Sequence, residues 1–279
     1  MRQLGLMLAA LLLAADEACA QFGPPRPRAA AHECSLGVGL HNVHSIWMPY
    51  DYEVSRNRVY FEGSYGLNDS LEVFGRAGGS DWVINDVETW EPGEDHDLSS
   101  HGYPAFLSGG LRGMLWECDG WSIGLSCEAA YYAGLERDVR WDYNVYQRFF
   151  FDPTLELNAG LSVGCDLGAG TLYAGPLLHF GYANADVRTH EFGPGWDVED
   201  EINVLNVRDK AGIGGFFGWR MPLGENGWHL QIEGAVLYGG FGGAIGFYKG
   251  PAMPHALPCP AAASEMGPAF MGCQTPGVP

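Results

Sequence analysis

The stretch from Arg58 to Gly79 constrains the fold more than any other part of this chain. Val59, Phe61, Gly63, Tyr65 and Leu67 alternate with Tyr60, Glu62, Ser64 and Gly66. After Asn68-Asp69-Ser70, the residues Leu71, Val73, Gly75 and Ala77 alternate with Glu72, Phe74, Arg76 and Gly78. Successive side chains of a strand point to opposite faces, so this is a β-hairpin with one apolar face and one face carrying full charges. The same two-residue period returns along the chain. Candidate strands span about 34–47, 57–67, 71–80, 105–117, 121–134, 154–164, 171–184, 206–221, 228–238 and 243–249.

The connections order these strands. Short turns rich in Asn, Asp and Gly follow the second, fourth, sixth and eighth, as tight hairpins require. Long connections follow the first, third, fifth and seventh, over about 48–56, 81–104, 135–153 and 185–205. A soluble sandwich has no reason to gather its long connections at one end. Strict alternation with an even strand number predicts an all-β chain, a transmembrane antiparallel up-and-down β-barrel of about ten strands, within a range of about eight to twelve. The least secure point is the connection Gly239 to Gly242, before the short tenth strand.

The two faces agree with a cylinder that is apolar outside. The lipid-facing set includes Leu107, Leu111, Leu115, Trp121, Ile123, Leu125, Tyr131, Leu155, Leu157, Leu161, Val163, Ile213, Phe217, Trp219, Trp228, Leu230, Ile232, Val236 and Tyr238. Trp116, Trp121, Trp219 and Trp228 flank short turns, where an interfacial aromatic girdle belongs. The opposite face carries Glu62, Glu72, Arg76, Arg112, Glu128, Glu156, Lys210, Arg220, His229 and Glu233. These residues either form a charged constriction that selects solutes or fill a narrow barrel with ion pairs; barrels near eight strands are filled by side chains.

The ends read as export and linker segments. Residues 1–20 have a positive n-region at Arg2, an apolar run from Leu4 to Ala15 and a small-x-small site at Ala18-Cys19-Ala20, which predicts a signal peptide cleaved before Gln21. The domain plan is then a Pro-rich leader at 21–31, expected to be extended and mobile, a barrel at 32–249, and a disordered periplasmic tail at 250–279. The expected location is the outer membrane of a Gram-negative-type bacterium, with membrane lipid and the barrel-assembly machinery as partners. The net charge is −19, and the signal's one Arg and two acids leave −18 after its removal. That balance argues against nucleic acid as a partner.

The long connections are acidic. Glu94, Asp95, Asp97, Asp197, Glu199 and Asp200 are the candidates for divalent-cation ligands, although no ordered calcium-loop spacing is present and a solvated acidic face is the simpler reading. No cofactor is expected. Of the cysteines outside the signal, Cys34, Cys118, Cys165, Cys259 and Cys273 fall at the expected periplasmic rim or in the tail, where disulfides can persist. Cys127 falls mid-strand and is expected to face lipid. His96, His101 and His190 stand among the rim acids; in strand number and rim chemistry this resembles the omptin family of outer-membrane proteases, without an omptin motif.

YGLNDSLEVFGRAGG (65–79), the repeated Gly-x-apolar strands and TLYAGPLLHFGYA (171–183) resemble the bacterial outer-membrane β-barrel superfamily. GLRGMLWECDGWSIGLSCEAAYYA (110–133) is similar to a segment of the chlamydial major outer-membrane porins, a disulfide-linked family. The resemblance implies porin-like passage of small solutes or cations through a charged lumen. The alternative is a structural or surface-interaction barrel with a plugged lumen, and a distant third is an omptin-like hydrolase. The chain is expected not to be an enzyme.

Overall fold

The computed structural model describes the backbone of residues 22–48, 52–88, 95–99, 103–140, 145–151, 153–193, 196–209, 212–237 and 240–250. Its strands are β1 (Cys34–Met48), β2 (Tyr52–Asn68), β3 (Leu71–Ser80), β4 (Val83–Glu88), β5 (Asp95–Ser99), β6 (Ala105–Cys118), β7 (Trp121–Tyr132) and β8 (Leu135–Arg140). They continue with β9 (Val145–Phe151), β10 (Thr154–Asp166), β11 (Thr171–Gly193), β12 (Trp196–Asp209), β13 (Gly212–Pro222), β14 (Trp228–Leu237) and β15 (Gly240–Lys249).

Ten of these close a ring in the order β1-β2-β3-β6-β7-β10-β11-β13-β14-β15, and β15 returns to β1. These pairings are antiparallel, and because β15 returns to β1 the ring has no free edge. The seam is made by the strand that pattern reading held least securely. Val38 of β1 lies opposite Phe247 and Leu40 opposite Ile245.

The remaining strands correct the expectation of long loops. β4 pairs residues 53–55 of β2, and β5 pairs β4. β9 and β12 pair the far half of β11, β8 pairs β9, and β12 also meets β1 at Trp47 and Met48. Thus 81–104, 135–153 and 185–205 contain strands that extend the barrel beyond its ring. Acidic composition hid β4, β5 and β12, because Asp and Glu lower strand preference. Val83, Ile84 and Val87 in β4 and Val145, Phe149, Phe150 and Phe151 in β9 supply the branched and aromatic residues that raise it. The segment expected at 206–221 likewise divides, its first residues ending β12 and the rest forming β13.

The turn read from sequence as the three residues Cys118-Asp119-Gly120 has two, because Cys118 pairs with Trp121 and ends β6. Asp119 and Gly120 have φ of 49° and 80°, the left-handed pair of a two-residue type I′ hairpin.

Outside the ring, Leu36, Leu40, Phe61, Leu107, Leu125, Leu157, Phe180, Ile213, Phe217 and Val236 are exposed. Leu230 shares their parity but is buried, and Tyr238 lies outside the described residues. Trp121 at the short-turn end and Tyr131 near the other end of β7 are both exposed and bound this band. Ten residue steps at about 3.3 Å, on strands tilted about 40°, give a height of roughly 25 Å, the apolar band of an outer-membrane barrel. A closed antiparallel ring, apolar outside and charged inside, is the architecture of an outer-membrane β-barrel.

Candidate functional site: the filled lumen

The inward parity of the wall strands places Glu62, Glu72, Arg76, Arg112, Glu128, Glu156, Arg220, His229 and Glu233 inside the ring, and all nine are buried. Lys210 lies outside the described residues. Water reaches almost none of this surface: Glu72, Glu156 and Gln231 are 0 % exposed and Arg112 1 %. Burying charge is tolerable only where each group is paired and hydrogen-bonded, and the lumen is arranged accordingly.

Toward the long-connection end, Glu156 holds two guanidiniums. Arg58 donates to its Oε2 at 2.7 Å, Arg56 pairs with its Oε1, and the Tyr132 hydroxyl donates to Oε2 at 2.8 Å. Phe106 and Tyr132 stack at 5.1 Å, and the Arg58 guanidinium stands 4.9 Å from the Tyr132 ring centroid. Further down, Arg76 links two strands' carboxylates, donating to Glu62 at 2.8 Å and to both oxygens of Glu128 at 2.8 and 2.9 Å. Arg112 pairs with Glu72, and the Tyr173 hydroxyl donates to Glu233 at 2.8 Å.

The leader is where the structure departs most from the sequence reading. It is not a mobile tether: residues from Phe22 onward run inside the barrel toward the short-turn rim and into β1. The Phe22 and Gly23 N–H groups donate to the two oxygens of Glu233 at 2.6 and 2.9 Å. Arg112 Nε donates to the Phe22 carbonyl at 2.8 Å. The Arg28 and Ala29 N–H groups donate to Glu72 Oε2 at 2.7 and 2.9 Å. The Arg28 guanidinium pairs with Glu62, donates to Gln231 at 2.8 Å and stands 3.5 Å from the Tyr248 ring centroid. At the rim Arg26 pairs with Glu117 and with Asp166, the latter at 2.6 Å. Ala31 then bridges Gly66 of β2.

Composition explains how such a segment can be buried. Pro24, Pro25 and Pro27 have no N–H to satisfy, and two carboxylates accept four of the remaining backbone donors. The Phe22 ring packs 4.8 Å from Phe216 in a buried apolar cluster with Val43, Tyr173, Leu177 and Leu237. Sequence reading gives the leader as mobile because proline-rich segments usually are. The inward set it identifies holds five Glu against Arg76, Arg112, Arg220 and Lys210. With Arg56 and Arg58 added the inward set no longer has an excess of acid, so its overall balance was no signal for a cationic occupant. Arg56 was missed because the first wall connection was set at 48–56, and Arg58 was passed over although it lies in the strand expected at 57–67; both continue the inward parity of Tyr60 and Glu62.

Other candidates fare differently. Cys34, Cys127 and Cys165 form no disulfide, so the disulfide expectation is not met among these described cysteines; Cys259 and Cys273 lie outside the described residues. The geometry accounts for this. Cys118 and Cys165 are both opposite Trp121, from the strands on either side of it, so two strand spacings of about 4.8 Å separate their backbones. Cys34, exposed at the rim, is expected to react with a polar maleimide without prior reduction. Unchanged mass until a reductant is added would refute this. Cys127 is exposed on the outward face, as expected.

The side chains of Glu94, Asp95, Asp97, Asp197, Glu199 and Asp200 lie outside the described residues, as do those of His96, His101 and His190. Backbone pairing sets His190 opposite Glu199 and Glu88 opposite Asp95. Among the described residues no group of His, Cys, Asp and Glu is placed to hold a metal ion.

No family model and no curated protein matches the chain. The similarity to chlamydial porins therefore gains no support. Solved structures are similar in fold. The translocator domain of the autotransporter NalP from Neisseria meningitidis has a TM-score of 0.45 and 10% identity, over 89% of this chain and 95% of that one. The transport unit of the autotransporter AIDA-I from Escherichia coli has a TM-score of 0.41 and 9% identity, over 86% and 95%. The outer membrane protease OmpT from Escherichia coli has a TM-score of 0.37 and 8% identity, over 82% and 95%. Likeness at this level carries no argument about activity.

Proposed function

We propose that this protein is a structural or surface-interaction barrel of the bacterial outer membrane, with a plugged lumen, working through the strands that extend beyond its ring. One observation carries the reading: the lumen charges, which a porin would present to water, are buried, from 0 % for Glu156 to 6 % for Glu128 and His229. A charged constriction selects solutes only if they can reach it. Here ion pairs, aromatic rings and the leader occupy the space. The extensions β4–β5, β8–β9 and β12 lie at the long-connection end, and the acidic sequences of β4, β5 and β12 suit a cationic partner or divalent cations. The reading makes the protein a non-enzyme, exported through a cleaved signal peptide, with the short turns and tail in the periplasm.

Planar-bilayer recording tests it. The intact protein is expected to show no steady single-channel steps, with folding checked by heat-modifiable gel mobility. A stable, ohmic conductance from folded protein would replace this reading with porin-like passage.

A further inference from the structure

We infer that the half of the lumen nearest the short turns is a binding site for an extended, arginine-bearing peptide, which the chain fills with its own residues 22–31. The inference rests on the plugged-lumen reading and adds what the plug is, how it is recognised and what an emptied barrel would bind.

The site recognises main chain. Glu233 and Glu72 each accept two consecutive backbone N–H groups, from residues 22–23 and from residues 28–29. Arg112 donates to a leader carbonyl. A pair of neighbouring N–H groups on one carboxylate is a contact to peptide backbone, independent of side-chain identity, and charge makes each of these hydrogen bonds strong.

Charge selects the arginine. In this half of the wall, the buried carboxylates Glu62, Glu72, Glu128 and Glu233 outnumber the buried guanidiniums Arg76, Arg112 and Arg220 by one. Arg28 supplies the missing positive charge, between Glu62, Gln231 and the face of Tyr248.

Shape follows the same path. A Cβ at Gly66 would come within 2.1 Å of the Ala30 carbonyl oxygen, at Gly124 within 2.7 Å of Pro25 Cα, and at Gly160 within 2.8 Å of the Phe22 ring. The wall is glycine where the leader passes, because any larger residue would occupy its space.

The Phe22 ring packs in the cluster of Val43, Leu177, Phe216 and Leu237, and Glu156 with its two arginines lies further along, four residues beyond Gly160 on β10. Removing the leader therefore empties a socket at the short-turn end, and among the described residues the Glu156 cluster still fills the lumen beyond it. Such a socket takes a peptide with an aromatic residue, prolines after it and an arginine six residues beyond the aromatic. The leader is that ligand in cis, and a peptide of the same chemistry competes for the place when the leader is absent.

The test uses a variant lacking residues 22–31, refolded into detergent and checked by heat-modifiable mobility. The probe is the N-acetylated synthetic peptide Phe-Gly-Pro-Pro-Arg-Pro-Arg-Ala-Ala-Ala, labelled at its C-terminus and followed by fluorescence anisotropy. Saturable binding of one peptide per barrel is expected, weakened about tenfold or more when the peptide's second Arg becomes Ala, and likewise by Glu72→Ala in the wall. Folded variant without saturable binding, or equal affinity for the alanine peptide, overturns the inference. Should the shortened chain not fold, hydrogen exchange on the intact protein decides. The amides of Phe22, Gly23, Arg28 and Ala29 are expected to be protected, and Glu72→Ala is expected to speed exchange at Arg28 and Ala29 by about tenfold or more. Exchange of all four at unprotected rates in the intact protein overturns it. Conductance separates this from the preceding proposal: an intact barrel that conducts sinks the closed-lumen reading, whereas a closed barrel that ignores the peptide sinks only the socket.

Discussion

Glu156→Ala is expected to destabilise the barrel by about 3–5 kcal/mol, because it takes a carboxylate away from buried guanidiniums rather than removing a surface pair. Glu156 is wholly buried and accepts from Arg56, Arg58 and Tyr132. Alanine leaves both guanidiniums in the lumen without that carboxylate, beside aromatic rings that do not replace it: Arg56 stands 5.4 Å and Arg58 4.9 Å from the Tyr132 centroid. The measurement is the urea midpoint of the folded form in lipid vesicles, followed by heat-modifiable mobility. Glu156→Gln keeps the acceptor oxygen and loses the charge, so it should fall between parent and alanine. Replacing Arg56, Arg58 and Glu156 together by apolar residues of similar volume should recover much of the loss, because an ion cluster exchanged whole for packed apolar groups is often neutral. An alanine variant as stable as the parent would show that this cluster contributes nothing the lumen needs.

That cluster also marks where sequence reading stops. Period-two alternation determines which side of the wall a residue faces, so Glu62, Glu72, Arg76, Glu156 and Glu233 could be placed inside from the chain alone, and Phe61, Leu125 and Ile213 outside. The short Asp-Gly turn at 119–120 announces its own geometry, because two left-handed residues in succession need such a pair. Which charges meet across the lumen was not legible. Arg76 reaches Glu128, and Arg58 reaches Glu156, across strands whose spacing depends on the closed ring as a whole. The leader was illegible for a different reason. Its prolines say only that it forms neither helix nor strand interior. Whether it lies in water or in protein depends on Glu233 and Glu72, more than forty residues away in sequence. The outer strands were lost to composition, since acidic residues in β4, β5 and β12 outweighed a pairing that the neighbouring wall strands template.

Leu125→Arg is expected to cost about 2–4 kcal/mol in a bilayer, and its cost should depend on depth in a way that only a membrane produces. Leu125 is 48 % exposed on the outer face of β7, opposite Leu161 on one side and Gly113 on the other. It lies between the interfacial rings of Trp121 and Tyr131, near the middle of the apolar band. A guanidinium there must stretch toward an interface or thin the lipid around it. Leu115, 63 % exposed beside Trp116 and the short turn, is at the edge of the same band. Arginine there can reach water, so Leu115→Arg should cost about 0–1 kcal/mol. Both sites are outward, and Leu115 is the more exposed, so loss of packing alone predicts small penalties for both. Urea midpoints measured in vesicles therefore separate the two accounts. A large loss at 125 with little at 115 places the belt in hydrocarbon, whereas equally small losses at both would mean that these leucines face water and that the ring is not a membrane barrel.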